Sequence, residues 1–277
     1  MKRDKDTDYG KKHHFAEMES IEDFQKRHPI TRYDHYREYI IQIGKGDSKV
    51  LTRETLKRFG ITAGTTGQTK MIPMMPSRDN VALKVGMLFN NIVSDNFGKI
   101  SPLQKWITTY AAPRVLWTEA GVLSGPMSMY TEQQKRFIEI YTSPISAFCI
   151  MQEYTATYIH LLFGLRDPDI AVWITSTTSH IRKAMVLLKA NWSLLVNDIA
   201  SGTLNKDISL SENVRKDLEA ALSPEPARAA QLQHEFEEKG FDGIIARVWP
   251  QMSHIVAVDM EGISKELQKT YAKGKIR

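Results

Sequence analysis

The chain has 277 residues, 42% of them apolar and 25% charged, enough to bury a sizeable core and too apolar to be disordered throughout. Its 37 Lys and Arg are interspersed with 32 Asp and Glu for a net charge of +5. There is no zinc spacing, long basic run or aromatic–basic motif, so no nucleic-acid partner is expected.

Residues 1–15 are charged and read as a loose lead-in. They lack the apolar segment of a secretory signal, and no run of about 18 apolar residues follows. A cytoplasmic protein with no membrane span is expected. His13 and His14 are adjacent, do not share a helix face, and have no third ligand nearby in sequence. Ser20 followed by Asp23 is an acidic variant of the capping box and predicts a helix from there. Pro29 interrupts it. Thr31 with Asp34 predicts the start of a second helix, with Tyr36, Tyr39, Ile40 and Ile43 on one side and Gly44 and Gly46 at its end.

Residues 58–74 read as strand, Gly-rich turn, strand. A helix over 79–95 follows, capped by Ser77 or Asp79. Arg114–Thr118 and Ile145–Ile150 are strand candidates. Cys149, the single cysteine, lies in that second apolar run and is expected to be a buried, inert thiol. Tyr154–Leu165 is an apolar helix that Gly164 helps to close. Ile170–Ile174 has the continuous apolar character of a strand covered on both faces. Thr178–Val196 is a long helix. Two polar helical segments, separated by Pro224 and Pro226, occupy 203–240. Ile255–Val258 is another buried strand, followed by a Lys-rich helix or tail. Strands alternating with helices predict an α/β fold with parallel or mixed sheets flanked by helices. A strand at 255–258 followed by a helix calls for a further parallel strand, so the chain is expected to be a piece of something longer.

The segment with the clearest chemistry is Thr62-Ala63-Gly64-Thr65-Thr66-Gly67-Gln68-Thr69-Lys70. Glycines let the backbone approach a ligand. Successive N–H groups can then form a nest around phosphate oxygens. Thr65 and Thr66 add hydroxyl donors and Lys70 adds a point charge. The spacing is not that of a Walker loop, which needs four residues between its glycines. An inert strand–turn–strand connection is the competing reading of the same residues.

The loop has company. Phe24 to Tyr36, containing Pro29-Ile30-Thr31-Arg32-Tyr33-Asp34, resembles the entry segment of the auxin-responsive (Gretchen Hagen) acyl-acid amido synthetase family. Lys70-Met71-Ile72-Pro73 follows the loop in the family's order. Thr118-Glu119-Ala120-Gly121, Tyr158 to Leu165, Trp192 to Gly202, and Trp249-Pro250 also resemble family segments, colinear over 17–258. The resemblance implies the N-terminal portion of an adenylate-forming (firefly-luciferase-like) enzyme over 16–277. Its substrates would be a small carboxylic acid, activated by ATP and Mg²⁺ as an acyl-adenylate, and an amino acid whose amine then attacks. Thr62, Ala63, Gly64, Thr65, Thr66 and Gly67 would hold ATP phosphates with help from Lys70. Ala63 stands where the family often has Ser, which removes one hydroxyl donor. Later family elements that contact nucleotide and metal fall beyond residue 277, so this portion alone is expected to be inactive. No catalytic side chain or metal ligand is assigned within it. The alternative is a non-catalytic nucleotide- or acid-binding relative.

Leu88 and Asn91, on the helix after the loop, and Thr118 are candidates to border the acyl pocket. Met71, Met74 and Met75 are better read as core than as pocket lining. His160, on an apolar helix, is better read as a satisfied core histidine than as a base. The five tryptophans are spread along the chain as core residues rather than as a stacking platform.

Overall fold

The computed structural model describes residues 1–62, 69–78, 81, 84, 88, 91, 92, 95, 104–127, 129, 138–260 and 262–273. The chain divides into two compact units, Met1–Phe89 with Pro113–Met129, and Asn90–Ala112 with Tyr130–Arg277.

The first unit is built on a four-stranded mixed sheet. β1 (Arg58–Ile61) pairs antiparallel with β2 (Met71–Met74) and parallel with β5 (Leu123–Pro126), and β5 pairs antiparallel with β4 (Leu116–Trp117). α2 (Ile21–Arg27) starts at the predicted capping box: Asp23 N donates to Ser20 Oγ, and the Asp23 carboxylate accepts from Ser20 N. α3 (Tyr33–Lys45) ends at Gly46, whose φ of 105° is left-handed, while Gly44 lies within the helix. Thr31 does not cap it. The N-cap is Arg32, and Thr31 Oγ1 bonds the Tyr36 hydroxyl at 2.7 Å. Ile40 and Ile43 of α3 are buried with Val50 and Phe59, and Tyr33, Tyr36, Tyr39 and Met71 pack around them.

Residues 1–15, expected as a loose lead-in, are instead folded. α1 (Asp8–Lys12) has Thr7 as its N-cap. Asp8 N and Tyr9 N donate to the carbonyls of Lys49 and Val50, and Asp4 Oδ1 accepts from Thr52 Oγ1 and Arg53 N. Tyr9 is buried. Its hydroxyl lies 2.6 Å from His28 Nε2 and 2.9 Å from His35 Nε2. His28 Nδ1 faces the Pro29 carbonyl at 2.8 Å and must donate to it, which leaves His28 Nε2 to accept the phenol proton. The phenol oxygen then accepts from His35 Nε2. His13 packs on the same ring, at 4.2 Å between centroids. Charge at the surface concealed one buried aromatic among the polar residues.

In the second unit β3 (Trp106–Thr108), β6 (Val172–Thr177) and β7 (His254–Val258) form a parallel sheet in that order. α4 (Glu153–Arg166) connects through to β6, and its residues from Thr155 to Leu165 are all buried. α5 (Thr178–Ser201) follows β6, then α6 (Glu212–Ala220), α7 (Pro226–Glu238, with Pro at its first turn) and α8 (Ile244–Val248); α9 (Ile263–Leu267) follows β7. Gly164 does not close α4. Its missing Cβ makes room for β3, since a Cβ there would lie 2.3 Å from Ile107 Cδ1. Its carbonyl accepts from Trp249 Nε1 at 2.7 Å, and Trp249 meets Trp173 edge to face at 5.6 Å.

Three other sequence expectations are corrected. Ile145–Cys149 is a 3₁₀-helix, not a strand. Pro144 sits at its N-cap, and Ala147 N and Ile150 N donate to carbonyls three residues back. A short apolar run does not distinguish strand from helix by periodicity. The same turn leaves Cys149 exposed rather than buried. Residues 76–78 are already helical, so Ser77 does not precede the helix as a cap; its N–H and hydroxyl donate to Glu54. Asp79 lies outside the described residues. Positions 81, 84, 88, 91, 92 and 95 are helical, in keeping with a helix there.

Candidate functional site

The Gly/Thr loop lies where strand–turn–strand was expected, between β1 and β2. Ala63, Gly64, Thr65, Thr66, Gly67 and Gln68 lie outside the described residues. The base of the hairpin is described. Ile61 pairs with Met71 in register, and one step further Thr62 N donates to the Lys70 carbonyl at 3.1 Å. Lys70 N returns a bond to Thr62 Oγ1 at 3.2 Å. Thr62 Oγ1 thus helps close the hairpin as an acceptor, and its O–H proton is left to donate.

Lys70 is exposed, and its ammonium lies over the Tyr33 ring, 5.8 Å from the centroid. The Tyr33 hydroxyl accepts from Met71 N at 3.0 Å. A second cation, the Arg37 guanidinium, is 5.3 Å from the same centroid. Asp34 beside it holds the Arg37 pKa above its ordinary value. Sequence reasoning missed Tyr33. It is 37 residues upstream of Lys70, and its place in a family-like string carries no sign of contact with the loop.

Thr118 sits at the turn between β4 and β5. Its N–H donates to the Val122 carbonyl, and its Oγ1 accepts from Val122 N at 3.2 Å. Leu88, 60% exposed, and Asn91, also exposed, are helical. Leu88 and Thr118 fall in the first unit and Asn91 in the second. Met74 is buried and Met71 packs on the first unit's core, which agrees with a packing role.

His160 is fully buried. Its Nε2 donates to the Tyr110 carbonyl, leaving Nδ1 to accept from Ser143 Oγ, both at 2.8 Å. Burial pushes its pKa down to about 4, against a smaller opposing pull from the Tyr110 carbonyl. A neutral ring with both nitrogens engaged inside the core is a structural group. Two family-like segments also meet in the second unit: the Tyr158 hydroxyl donates to the buried Asp198 carboxylate at 2.9 Å, which also accepts from Asn205 N. Burial raises the Asp198 pKa despite those donors.

A cavity of about 90 Å³ in the second unit is lined by Thr178, Ile255, Ala257, Asp259, Ser264 and Leu267, among others. It lies at the carboxyl end of β7, where open α/β sheets place ligands. It is well below the roughly 300 Å³ that begins the range of small-molecule pockets. Asp259 accepts from Thr178 Oγ1, Ser264 N and Ser264 Oγ, which hold its pKa below the ordinary value. That carboxylate closes a turn. Among the described residues no group of three or more His, Cys, Asp and Glu could hold a metal ion, and no helix is long and apolar enough to cross a membrane.

An α/β chain with mixed and parallel sheets, and a hairpin that presents a lysine at the base of a Gly/Thr loop, is the class these observations define. The family model for the GH3 family N-terminal domain matches residues 1–275, and the chain belongs to the GH3 family. It is 25% identical over 279 residues to indole-3-acetic acid-amido synthetase GH3.6 of Arabidopsis thaliana, covering 92% of this chain and 43% of that protein. It is 25% identical over 250 residues to the 4-substituted benzoates-glutamate ligase GH3.12 of the same organism, covering 85% and 42%. The solved acyl acid amido synthetase AtGH3.15 in complex with 2,4-DB shares the fold at a TM-score of 0.83 and 20% identity, over 99% of this chain and 49% of that one. The chain thus spans somewhat under half the length of these relatives. The family and fold expected from the sequence are both borne out.

Proposed function

We propose that this chain is part of an acid–amino acid ligase that activates a carboxylic acid with ATP as its acyl-adenylate and passes the acyl group to an amino-acid amine. The observation that carries the reading is Lys70, whose backbone is tied to Thr62 and whose neighbour Met71 is tied to Tyr33. This arrangement fixes a cation at the foot of the Gly/Thr segment in a chain of the GH3 family. The named relatives act on different acids, so the acid here follows from its own pocket; Leu88, Asn91 and Thr118 remain the candidates to border it.

The chemical demand is the placement of positive charge and N–H donors against phosphate while a carboxylate approaches the α-phosphorus. Lys70 would supply the charge. Gly64 and Gly67 would let backbone N–H groups come close, and Thr65 and Thr66 would add hydroxyls. Thr62 would both brace the loop through its bonds to Lys70 and donate its hydroxyl proton to phosphate. The described residues contain no group of three or more His, Cys, Asp and Glu that would hold Mg²⁺. The chain covers under half the length of its relatives, and low turnover by residues 1–277 alone is part of the same proposal. A cytoplasmic setting belongs to the same proposal.

Titration calorimetry with Mg·ATP tests the reading. Binding to the folded chain should weaken at least about tenfold in a Gly64→Val, Lys70→Ala double variant. Equal affinity in wild type and variant would rule the loop out as a phosphate site. Acid-dependent pyrophosphate release by a longer form containing these residues then separates a ligase from a non-catalytic binder.

A further inference from the structure

Lysine is a flexible ligand for phosphate. An exposed ammonium on four methylenes samples many rotamers, and ordering it on binding costs affinity. Lys70 is exposed, yet its ammonium is placed over the Tyr33 ring, at 5.8 Å from the centroid, within cation–π range. The same tyrosine accepts the Met71 N–H through its hydroxyl. One side chain therefore contacts both the lysine head group and the backbone of the next residue. Tyr33 is itself fixed in the first turn of α3 and packs on the first unit's core. Arg37 shares its ring, but Asp34 Oδ1 binds that guanidinium at 2.5 Å, which offsets the repulsion a second cation would exert on Lys70.

We infer that Tyr33 is the positioning residue for Lys70. Its ring confines the ammonium near the foot of the hairpin, and its hydroxyl sets where β2 begins. Tyr33 acts through Lys70 and touches no substrate. The ring covers one side of the ammonium and leaves the other open to phosphate oxygens, so the contact persists on binding and narrows the lysine's rotamers beforehand. This inference rests on the reading of Lys70 as a phosphate contact.

The test is a double-variant cycle read by Mg·ATP titration. Tyr33→Leu should weaken binding about fivefold when Lys70 is present and leave it unchanged in a Lys70→Met background. Tyr33→Phe keeps the ring, so it should retain most of the affinity while speeding amide exchange at Met71. Ring-fluorinated phenylalanines at position 33 keep the shape and drain the ring face. Affinity should fall with each added fluorine, and this series decides the question if Tyr33→Leu does not fold. An equal loss in both Lys70 backgrounds, or no dependence on fluorination, would overturn the inference and leave the phosphate reading standing. Affinity that ignores Lys70→Met, or a folded wild type that binds no ATP, would sink the two together.

Discussion

His160 is a residue whose surroundings change its chemistry. Its ordinary pKa of 6.5 is pushed down to about 4 by complete burial. The unfolded chain binds a proton that the folded ring refuses. The stability this contributes is complete above pH 6.5 and is lost as pH falls toward 4, a change on the order of 3 kcal/mol. Urea unfolding at pH 7.5 and pH 4.5 should show a larger acid loss in wild type than in His160→Gln, which cannot titrate. Identical losses would mean that other groups govern acid sensitivity. The sequence marked His160 as a core histidine because it stood on an apolar helix. Its hydrogen-bond partners, Ser143 and Tyr110, are 17 and 50 residues away and follow no local pattern. Lys70 is the converse case. Its charge and its place after the glycines were legible, whereas Tyr33 beneath it was not, because a ring-to-ammonium contact across 37 residues leaves no periodic trace.

At the scale of elements, the helices with strong local signals formed near their expected positions. Ser20 and Asp23 cap α2, Gly46 ends α3, and Pro226 opens α7. Glycine within a helix was harder to read. Gly164 resembled a terminator, but it lies within α4 as the point of closest approach to β3. Gly164→Ala should therefore destabilise the protein by about 1–2 kcal/mol, the overpacking cost exceeding the gain in helix propensity. The worst contact would be with Ile107 Cδ1, so Ile107→Val should recover part of the loss in a thermal-unfolding cycle. Simple additivity of the two changes would place the strain elsewhere. Gly202 is more constrained. It closes α5 at a φ of 68°, and a Cβ there would fall 2.4 Å from the Pro224 backbone nitrogen. The segment Ile145–Cys149 shows the opposite limit, since an apolar run bounded by a proline fits a strand or a 3₁₀ turn equally well until its hydrogen-bond partners are known.

At the scale of the whole molecule, the N-terminal segment is part of the first unit. Asp4, Asp8 and Tyr9 bind residues 49–53, and Tyr9 holds two histidines through one hydroxyl. Removing residues 1–14 would strip those partners and expose Tyr36, Tyr39 and Val50. The melting temperature should fall on the order of 5–10 °C, as expected for a loss of a few kcal/mol in a chain of this size. An unchanged melting curve would return the segment to the loose lead-in its charge implied. The first unit also draws β4 and β5 from 113–129, after the chain has already entered the second unit at residue 90. That return is the reason the sequence, read in order, offered no boundary between them.

The amino-acid sequence by itself determined the α/β class, the family, the hairpin around the Gly/Thr loop, and the strands at β6 and β7, although β7, expected to be buried, is only partly so and leaves Val258 exposed. Each follows from spacing between near neighbours or from ordered strings of residues, and such signals survive in one dimension. Tertiary structure decided what those signals could not encode. It divided the chain into two units, folded the charged N-terminus around Tyr9, turned Cys149 outward, and set the ring of Tyr33 beneath Lys70. All four depend on contacts between residues distant in sequence or on the burial that packing creates, and neither is a property of any local window.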